Sequence, residues 1–312
     1  MEPSAWHHKE DIMLEALHRC TLCPRECGAD RLAGETGFCG AAGESVRVAR
    51  AALHYWEEPC ISGSEGSGAV FFSYCPLRCV YCQNRAISKG DAGKDISIAR
   101  LAEIFLELQE KKAHNINLVT PTHYIPQIAE AIRSARKKGL AIPIVFNCGG
   151  YEKPESLRLL DGLIDIYLPD FKYLSAQTAG SYSAAPDYPE RAKSALAEMV
   201  RQTGEPVFDI HGLMQKGVIV RHLLLPGQME DSKAVIRYLY KTYGDRIYLS
   251  IMNQFTPLEN VADYPELNRT IRMEEYDEVI NFAVGLGVEN GFIQEGGTAD
   301  ESFIPAFTCE GV

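Results

Sequence analysis

The sequence contains no run of about 18 uninterrupted apolar residues, so nothing in it reads as a membrane-spanning helix. Its first residues, MEPSAWHHKEDIMLEALHRC, lack the basic start and apolar stretch of a secretory signal, and a cytoplasmic location is expected. Positive charge is also scarce. Lys and Arg number 31 against 42 Asp and Glu, giving a net charge of -11, which argues against a general nucleic-acid binder and its clustered basic side chains. There is no internal repeat and no low-complexity tract.

What remains is an ordinary globular composition, with 46% apolar and 23% charged residues over 312 positions. That length suits an α/β barrel with an added module. The ten cysteines are the unusual feature. In a reducing compartment so many thiols suggest metal ligation or redox chemistry more than disulfides. Cys20, Cys23, Cys27 and Cys39 lie near the start, Cys75, Cys79 and Cys82 form a tight knot, and Cys60, Cys148 and Cys309 stand apart.

Residues 1–60 read as a Cys-rich extension, dense in Gly and turn residues, of the kind that needs a metal to hold its shape. ISGSEGSG then reads as a connector, and residues 61–312 as the main domain. From Ala69 onward, apolar runs alternate with helical patterns. Six strands are expected: Ala69–Cys75, Asn115–Thr120, Ile142–Asn147, Leu163–Phe171, Gly217–Gly227 and Arg246–Asn253. Between them, Leu101, Ile104, Phe105 and Leu108, then Ile125, Ile128 and Ile132, keep helical spacing, and Asp231 or Ser232 is a candidate cap for a later helix. Strands each followed by a helix imply parallel βα units, in an open doubly wound sheet or a barrel.

The chemistry concentrates in YCPLRCVYCQN, residues 74–84. Three and then two residues separate its cysteines, so one tight loop can aim three thiolates at a single point. Soft thiolates suit zinc or an iron–sulfur cluster. Structural zinc requires a fourth ligand, and Gln83 and Asn84 are poor ones. An incomplete set is what a catalytic cluster needs, because one iron is then left open. The knot also follows the first strand of the expected parallel array, the end at which such folds bind ligands.

C-x3-C-x2-C with an aromatic before the last Cys resembles the signature of the radical S-adenosylmethionine superfamily. The N-terminal CTLCPRECGADR, the GSG loop, CVYCQN, NLVTPTHY and LPDFKY together resemble its pyruvate formate-lyase activating-enzyme-like branch. The resemblance implies an incomplete (β/α)6 TIM-like barrel carrying an N-terminal Cys-rich extension. It implies a 4Fe-4S cluster on Cys75, Cys79 and Cys82 that reductively cleaves S-adenosylmethionine to methionine and a 5′-deoxyadenosyl radical. That radical would abstract hydrogen from a glycine of a partner glycyl-radical enzyme, with flavodoxin or ferredoxin as electron donor.

The same resemblance assigns cofactor-binding positions. Tyr81 would lie near the adenine. Where relatives carry Gly-Gly-Glu, this chain has TPTHY, so Thr120, Thr122 and His123 would face the cofactor. Asp170, Lys172 and Arg221 would lie near the methionyl carboxylate, with Asn147 and Asn253 at neighbouring strand ends. His222 points to the opposite side of its strand from Arg221 and reads as structural.

Cys20, Cys23, Cys27 and Cys39 form a complete second set, able to hold zinc or an auxiliary iron–sulfur cluster. Cys148, beside Gly149 and Gly150, could face the same site, and Cys309 falls in a tail expected to be mobile. Two other readings compete: a radical enzyme acting on a small molecule or a different polypeptide, and a metal-bound interaction module without catalysis.

Overall fold

A computed structural model describes residues 15–257, 261, 263–294 and 305–312. Among these residues ten strands form one sheet: β1 (Val46–His54), β2 (Ser67–Phe72), β3 (Lys94–Ile96), β4 (Ile116–Val119), β5 (Ile144–Cys148), β6 (Ile166–Pro169), β7 (Val207–Phe208), β8 (Met214–Leu223), β9 (Tyr248–Met252) and β10 (Gly291–Ile293). The order is β10-β9-β8-β6-β5-β4-β2-β1-β3, with β7 paired to β8. From β2 to β10 this path is parallel at every step, whereas β1 and β3 add antiparallel. The first and last strands of the path do not pair, so the barrel is incomplete.

The six expected strands are β2, β4, β5, β6, β8 and β9. Strands β2, β4, β5 and β6 are buried at every position, the signature of a sheet covered on both faces. The cover comes from helices α1 (Ile98–Glu110), α2 (Ile125–Lys137), α3 (Ala176–Ser183), α4 (Tyr188–Thr203), α5 (Met229–Tyr243) and α6 (Met273–Leu286). Helix α1 begins where Ser97 accepts the Arg100 N–H at 3.1 Å, and it buries Leu101, Ile104, Phe105 and Leu108, the stripe read from spacing. Helix α2 does the same with Ile125, Ile128 and Ile132.

Two details differ from the sequence reading. Helix α5 has Gln228 before its first turn with no side-chain cap. The Asp231 carboxylate instead accepts the Leu174 and Ser175 N–H groups and pins the chain that leaves β6. The second difference concerns the tail. Residues 305–312 return to β1, where the Cys309 N–H donates to the Ala49 carbonyl and the Ala51 N–H to that of Glu310. Phe307 then sits edge-on to Phe71.

The Cys-rich extension is joined to the barrel through β1, which shares the sheet with β2. It is also clamped onto the loop that follows β2. The Arg25 Nε–H donates to the Pro76 carbonyl at 2.9 Å, and the Arg78 guanidinium donates to the Phe38 carbonyl. Both guanidinium groups stack on the Phe38 ring.

Phe146 of β5 is fully buried and packs edge-on against Tyr167 of β6 at 5.8 Å. Phe146→Ala is therefore expected to lower the unfolding free energy by about 3–5 kcal/mol, read by denaturant titration. A loss under about 1 kcal/mol would show that this side of the sheet is not packed as described.

Candidate active site

At the C-terminal ends of the parallel strands lies an open cavity of about 370 Å³. Its wall collects side chains at or just after the ends of β2, β4, β5, β6, β8, β9 and β10, the position where parallel folds bind ligands. Cys75, Cys79 and Cys82 lie on one wall, carried by the loop that leaves β2.

That loop is held in shape by its backbone. Tyr74 and Arg78 adopt left-handed φ values of 76° and 58°, which turn the chain back on itself on either side of Cys75. The Tyr74 N–H donates to the Ile87 carbonyl at 2.7 Å, Val80 N–H to Tyr182 at 2.8 Å, and Cys82 N–H to Cys79 at 3.1 Å. The Gln83 amide reaches the Gln254 carbonyl at 2.7 Å, tying the loop to the segment after β9. Tyr81 is buried under the loop, its hydroxyl 2.6 Å from that of Tyr173. Tyr173 in turn bonds Ser183, which donates to the Cys79 sulfur at 3.0 Å.

Burial and mutual repulsion push the Cys75 thiol up to about 12, and burial and Cys79 push Cys82 up to about 11. Thiols raised in this way, as Cys75 and Cys82 are, become thiolates only beside a positive centre, which is what a metal cluster supplies. Among the described residues no three His, Cys, Asp or Glu side chains have the arrangement that would hold a single metal ion. Cluster ligation is a different demand, since each thiolate binds a separate iron, and the donor set of soft thiols facing an open cavity fits it.

The remaining expected residues divide into two groups. Thr120, Thr122, Asn147, Asp170, Lys172 and Arg221 line the cavity together with Tyr81. His123 and Asn253 do not. His123 is buried behind the wall with Nε2 2.8 Å from the Ser73 carbonyl, and burial pushes it down to about 3, so it stays neutral. Asn253 N–H donates to the Gln294 side chain at 2.8 Å, and it is Gln254 that reaches the wall.

Charge in the cavity is arranged in closed pairs. Lys172 Nζ lies 2.6 Å from Asp170 Oδ2. Burial opposes the Lys172 charge, but Asp170 outweighs it and holds the ammonium protonated far above the usual lysine range. Arg221 has its fork taken by two carboxylates the sequence reading missed. Nε donates to Glu58 at 2.8 Å, and Nη2 donates to both Glu57 and Glu58. Asn117 donates to Glu57 at 2.8 Å. A methionyl carboxylate reaching Arg221 would have to share or displace these partners. The adjacent acids EE beside an exposed Trp56 were the available signal, but nothing local tied them to an arginine 163 residues away.

Another residue missed from sequence is Glu152. It is only 1% exposed and lines the cavity, with Thr122 Oγ1 donating to its Oε1 at 2.8 Å. Thr122 thus serves Glu152 from the cavity wall. Glu152 is brought close by Gly150, whose φ of 77° lets the chain fold back where a Cβ would overlap the Asp170 carbonyl and the Tyr188 hydroxyl. Cys148 lines the same wall, buried. His222 faces away, with Nδ1 2.7 Å from the Phe171 carbonyl.

In the extension, Cys20, Cys23 and Cys39 are buried and Cys27 is exposed. Burial, with repulsion from the other three cysteines, pushes Cys23 up to about 12. The four sulfurs therefore lie within electrostatic reach of one another. Cys60 is buried elsewhere and does not line the cavity.

Burial pushes the Glu58 carboxyl up, but Arg221 more than offsets this and holds it below its ordinary value near 4.5. That contribution to stability is present above 4.5 and is lost as pH falls through the lowered value. Arg221→Met is expected to cost about 3–5 kcal/mol at pH 7, because two carboxylates are left buried without their cation. The deficit should narrow under acid, as read by thermal melts across pH. A deficit independent of pH would contradict the pairing.

The profile of the Radical SAM superfamily matches residues 69–239, which is more than half of the chain. The chain is 25% identical to uncharacterized protein MJ0674 of Methanocaldococcus jannaschii over 292 residues, spanning 91% of this chain and 79% of that protein. Among solved structures it is similar to Streptococcus suis SuiB bound to precursor peptide SuiA, at 13% identity and a TM-score of 0.49, covering 72% of this chain and 47% of that one. It is also similar to the FeFe-hydrogenase maturase HydG of Carboxydothermus hydrogenoformans, at 12% identity and a TM-score of 0.49, covering 76% and 55% respectively. The chain thus spans about half the length of these solved structures. The matched segment contains the three-cysteine loop and the strand ends that build most of the cavity wall, and by that match the chain belongs to the radical SAM superfamily.

Proposed function

We propose that this protein is a radical S-adenosylmethionine enzyme whose cavity takes a glycine-bearing loop of a partner glycyl-radical enzyme. The observation that carries the enzymatic part is the incomplete three-cysteine set, Cys75, Cys79 and Cys82, on the wall of a cavity at the strand C-termini. When bound, the 4Fe-4S cluster and S-adenosylmethionine supply a 5′-deoxyadenosyl radical that abstracts hydrogen.

The chain's own residues hold and shape that site. Ser183 and the Tyr81–Tyr173 pair fix the sulfur of Cys79, while Arg25 fixes the carbonyl between the first two ligands. Thr120, Asn147, Asp170 and Lys172 present polar groups toward the cofactor from successive strand ends. The buried aromatic floor of Tyr81 and its edge-on neighbours Tyr173, Tyr182 and Phe255 excludes water from beneath the loop.

The activase assignment is supported by the sequence resemblance and by the openness of the incomplete barrel, which gives a polypeptide loop a way in. Its electron donor would be a flavodoxin or ferredoxin. Cys20, Cys23, Cys27 and Cys39, in the extension over residues 1–60, would hold zinc or a second cluster and brace the catalytic loop through Arg25. Such oxygen-sensitive centres suit a reducing cytoplasm. Among the described residues no helix is long and apolar enough to cross a membrane.

Anaerobically reconstituted and reduced protein is expected to form 5′-deoxyadenosine from S-adenosylmethionine, and the Cys75→Ala, Cys79→Ala, Cys82→Ala variant none. Mixed with a glycyl-radical enzyme encoded beside it, the wild type should generate a protein-based glycyl radical visible by electron paramagnetic resonance. 5′-Deoxyadenosine without any protein radical would reject the activase assignment and favour a different substrate.

A further inference from the structure

Arg31 lies in the loop between Cys27 and Cys39 and is 1% exposed, so its charge is withdrawn from water. Nη1 donates to the His123 carbonyl at 2.6 Å, and the guanidinium stands 5.7 Å from the Tyr124 ring centre. Nε and Nη2 are buried and make no full hydrogen bond. Among the described residues no carboxylate pairs with it. The acids closest in the chain are committed elsewhere. Glu26 pairs with Lys153, Asp30 accepts the Ala33 N–H and lies against His18, and Glu35 accepts the Asp30 N–H. A guanidinium cannot escape burial by losing its proton, and a buried cation left without an anion is strongly unfavourable.

What surrounds Arg31 instead is the extension's own cysteine set. Cys20 and Cys39 lie within electrostatic reach of it. The Cys20 sulfur is near enough to attract the guanidinium as a weak acceptor, although neither free nitrogen makes a full bond to it. A neutral thiol accepts hydrogen bonds poorly and balances no charge, and a trapped water would satisfy the N–H groups but not the charge. Metal-bound thiolates do both, because four of them around a divalent ion or a 4Fe-4S core leave a net negative charge. Among the described residues no three cysteine side chains converge as a single ion would hold them. The set therefore closes only when a centre draws its sulfurs in. The loop after Cys27 has room for this, since it turns through left-handed Gly28 and Gly34 with open space beside both.

From this arrangement we infer that Arg31 is the buried counter-ion of a net-negative metal centre on the thiolates of Cys20, Cys23, Cys27 and Cys39, with its two free nitrogens donating to metal-bound sulfur. The inference rests on those cysteines binding a metal, as proposed for the extension. Zinc and a 4Fe-4S cluster share this chemistry. Arg31 holds no metal itself and acts through charge and N–H···S bonds, while Nη1 ties the centre to the end of β4 through His123.

The test uses the full-length chain carrying Cys75→Ala, Cys79→Ala and Cys82→Ala, in which the extension keeps the one close set of four cysteines. This parent, Arg31→Lys and Arg31→Met are loaded without oxygen, either with zinc or with iron and sulfide. Metal retention is then measured against a competing chelator, and the loading that survives identifies the centre. Arg31→Lys keeps the charge and should stay within about threefold of the parent, whereas Arg31→Met should bind at least tenfold more weakly. Calorimetry of zinc binding, in buffers of different ionisation heat, counts the protons released. Arg31→Met should release about one proton fewer per zinc, because a centre without its counter-ion keeps one thiol protonated. Lost packing alone would weaken retention and leave the count unchanged.

Without metal the effect on stability should reverse. Metal-free Arg31→Met should melt at or above the parent, because an unbalanced buried charge has been removed. Equal retention and equal proton counts in the parent and Arg31→Met overturn the inference. So does a metal-free Arg31→Met that melts lower and releases the same number of protons, which would mark a packing role. If the parent takes up no metal under either loading, the metal-binding reading of the extension fails and the counter-ion role with it, an outcome visible before any variant is compared.

Discussion

The site depends on one constraint: three half-buried thiols must be held together on a single short loop until something positive arrives. The structure meets it by fixing the loop from all sides. Its backbone turns twice through left-handed φ at Tyr74 and Arg78, and its carbonyls and N–H groups are claimed by Arg25, Tyr182 and Ile87. The Cys79 sulfur is hydrogen-bonded by Ser183. A loop so constrained loses little further entropy when it binds a cluster, and preorganisation of this kind allows a metal centre to be both tight and open at one position.

The extension and the barrel are mechanically linked through that loop. Arg25 lies between Cys23 and Cys27, and Arg78 lies between Cys75 and Cys79. Arg25 donates to the Pro76 carbonyl of the cluster loop and Arg78 to the Phe38 carbonyl of the extension, and both stack on the ring of Phe38, next to Cys39. The two cysteine-bearing segments are therefore tied together by two crossed hydrogen bonds and a shared aromatic ring. Buried Arg31 extends the link, donating to the His123 carbonyl while His123 bonds Ser73, two residues before Cys75. His123, drawn in sequence toward the cofactor, has its place in this brace.

Much of this was legible in the sequence, for physical reasons that also mark the limits. The parallel strands show as continuous apolar runs because both faces are covered, and the helices show through their 3.6-residue stripe. The cluster loop shows through spacing because thiolate geometry demands it. What could not be read depends on partners far along the chain. Glu57 and Glu58 look like surface acids until β8 brings Arg221 against them. Glu152 looks like a loop acid until Gly150 folds it under Thr122. Strand β1 lies inside a segment whose Gly and Cys content masked its alternation, and β10 is only three residues long. Arg221 shows the limit best: its position on the wall followed from the motif, but its closed partners did not.

The central claim is that the Cys75–Cys79–Cys82 loop holds a cluster with one iron open to the cavity. The most direct test is the electron paramagnetic resonance spectrum of the reduced, reconstituted cluster, recorded with and without S-adenosylmethionine. The account predicts that a 4Fe-4S signal, absent from the triple cysteine variant, changes its g-values when S-adenosylmethionine is added, because the cofactor binds at the open iron. A signal that survives loss of the three cysteines, or one unmoved by the cofactor, would contradict it.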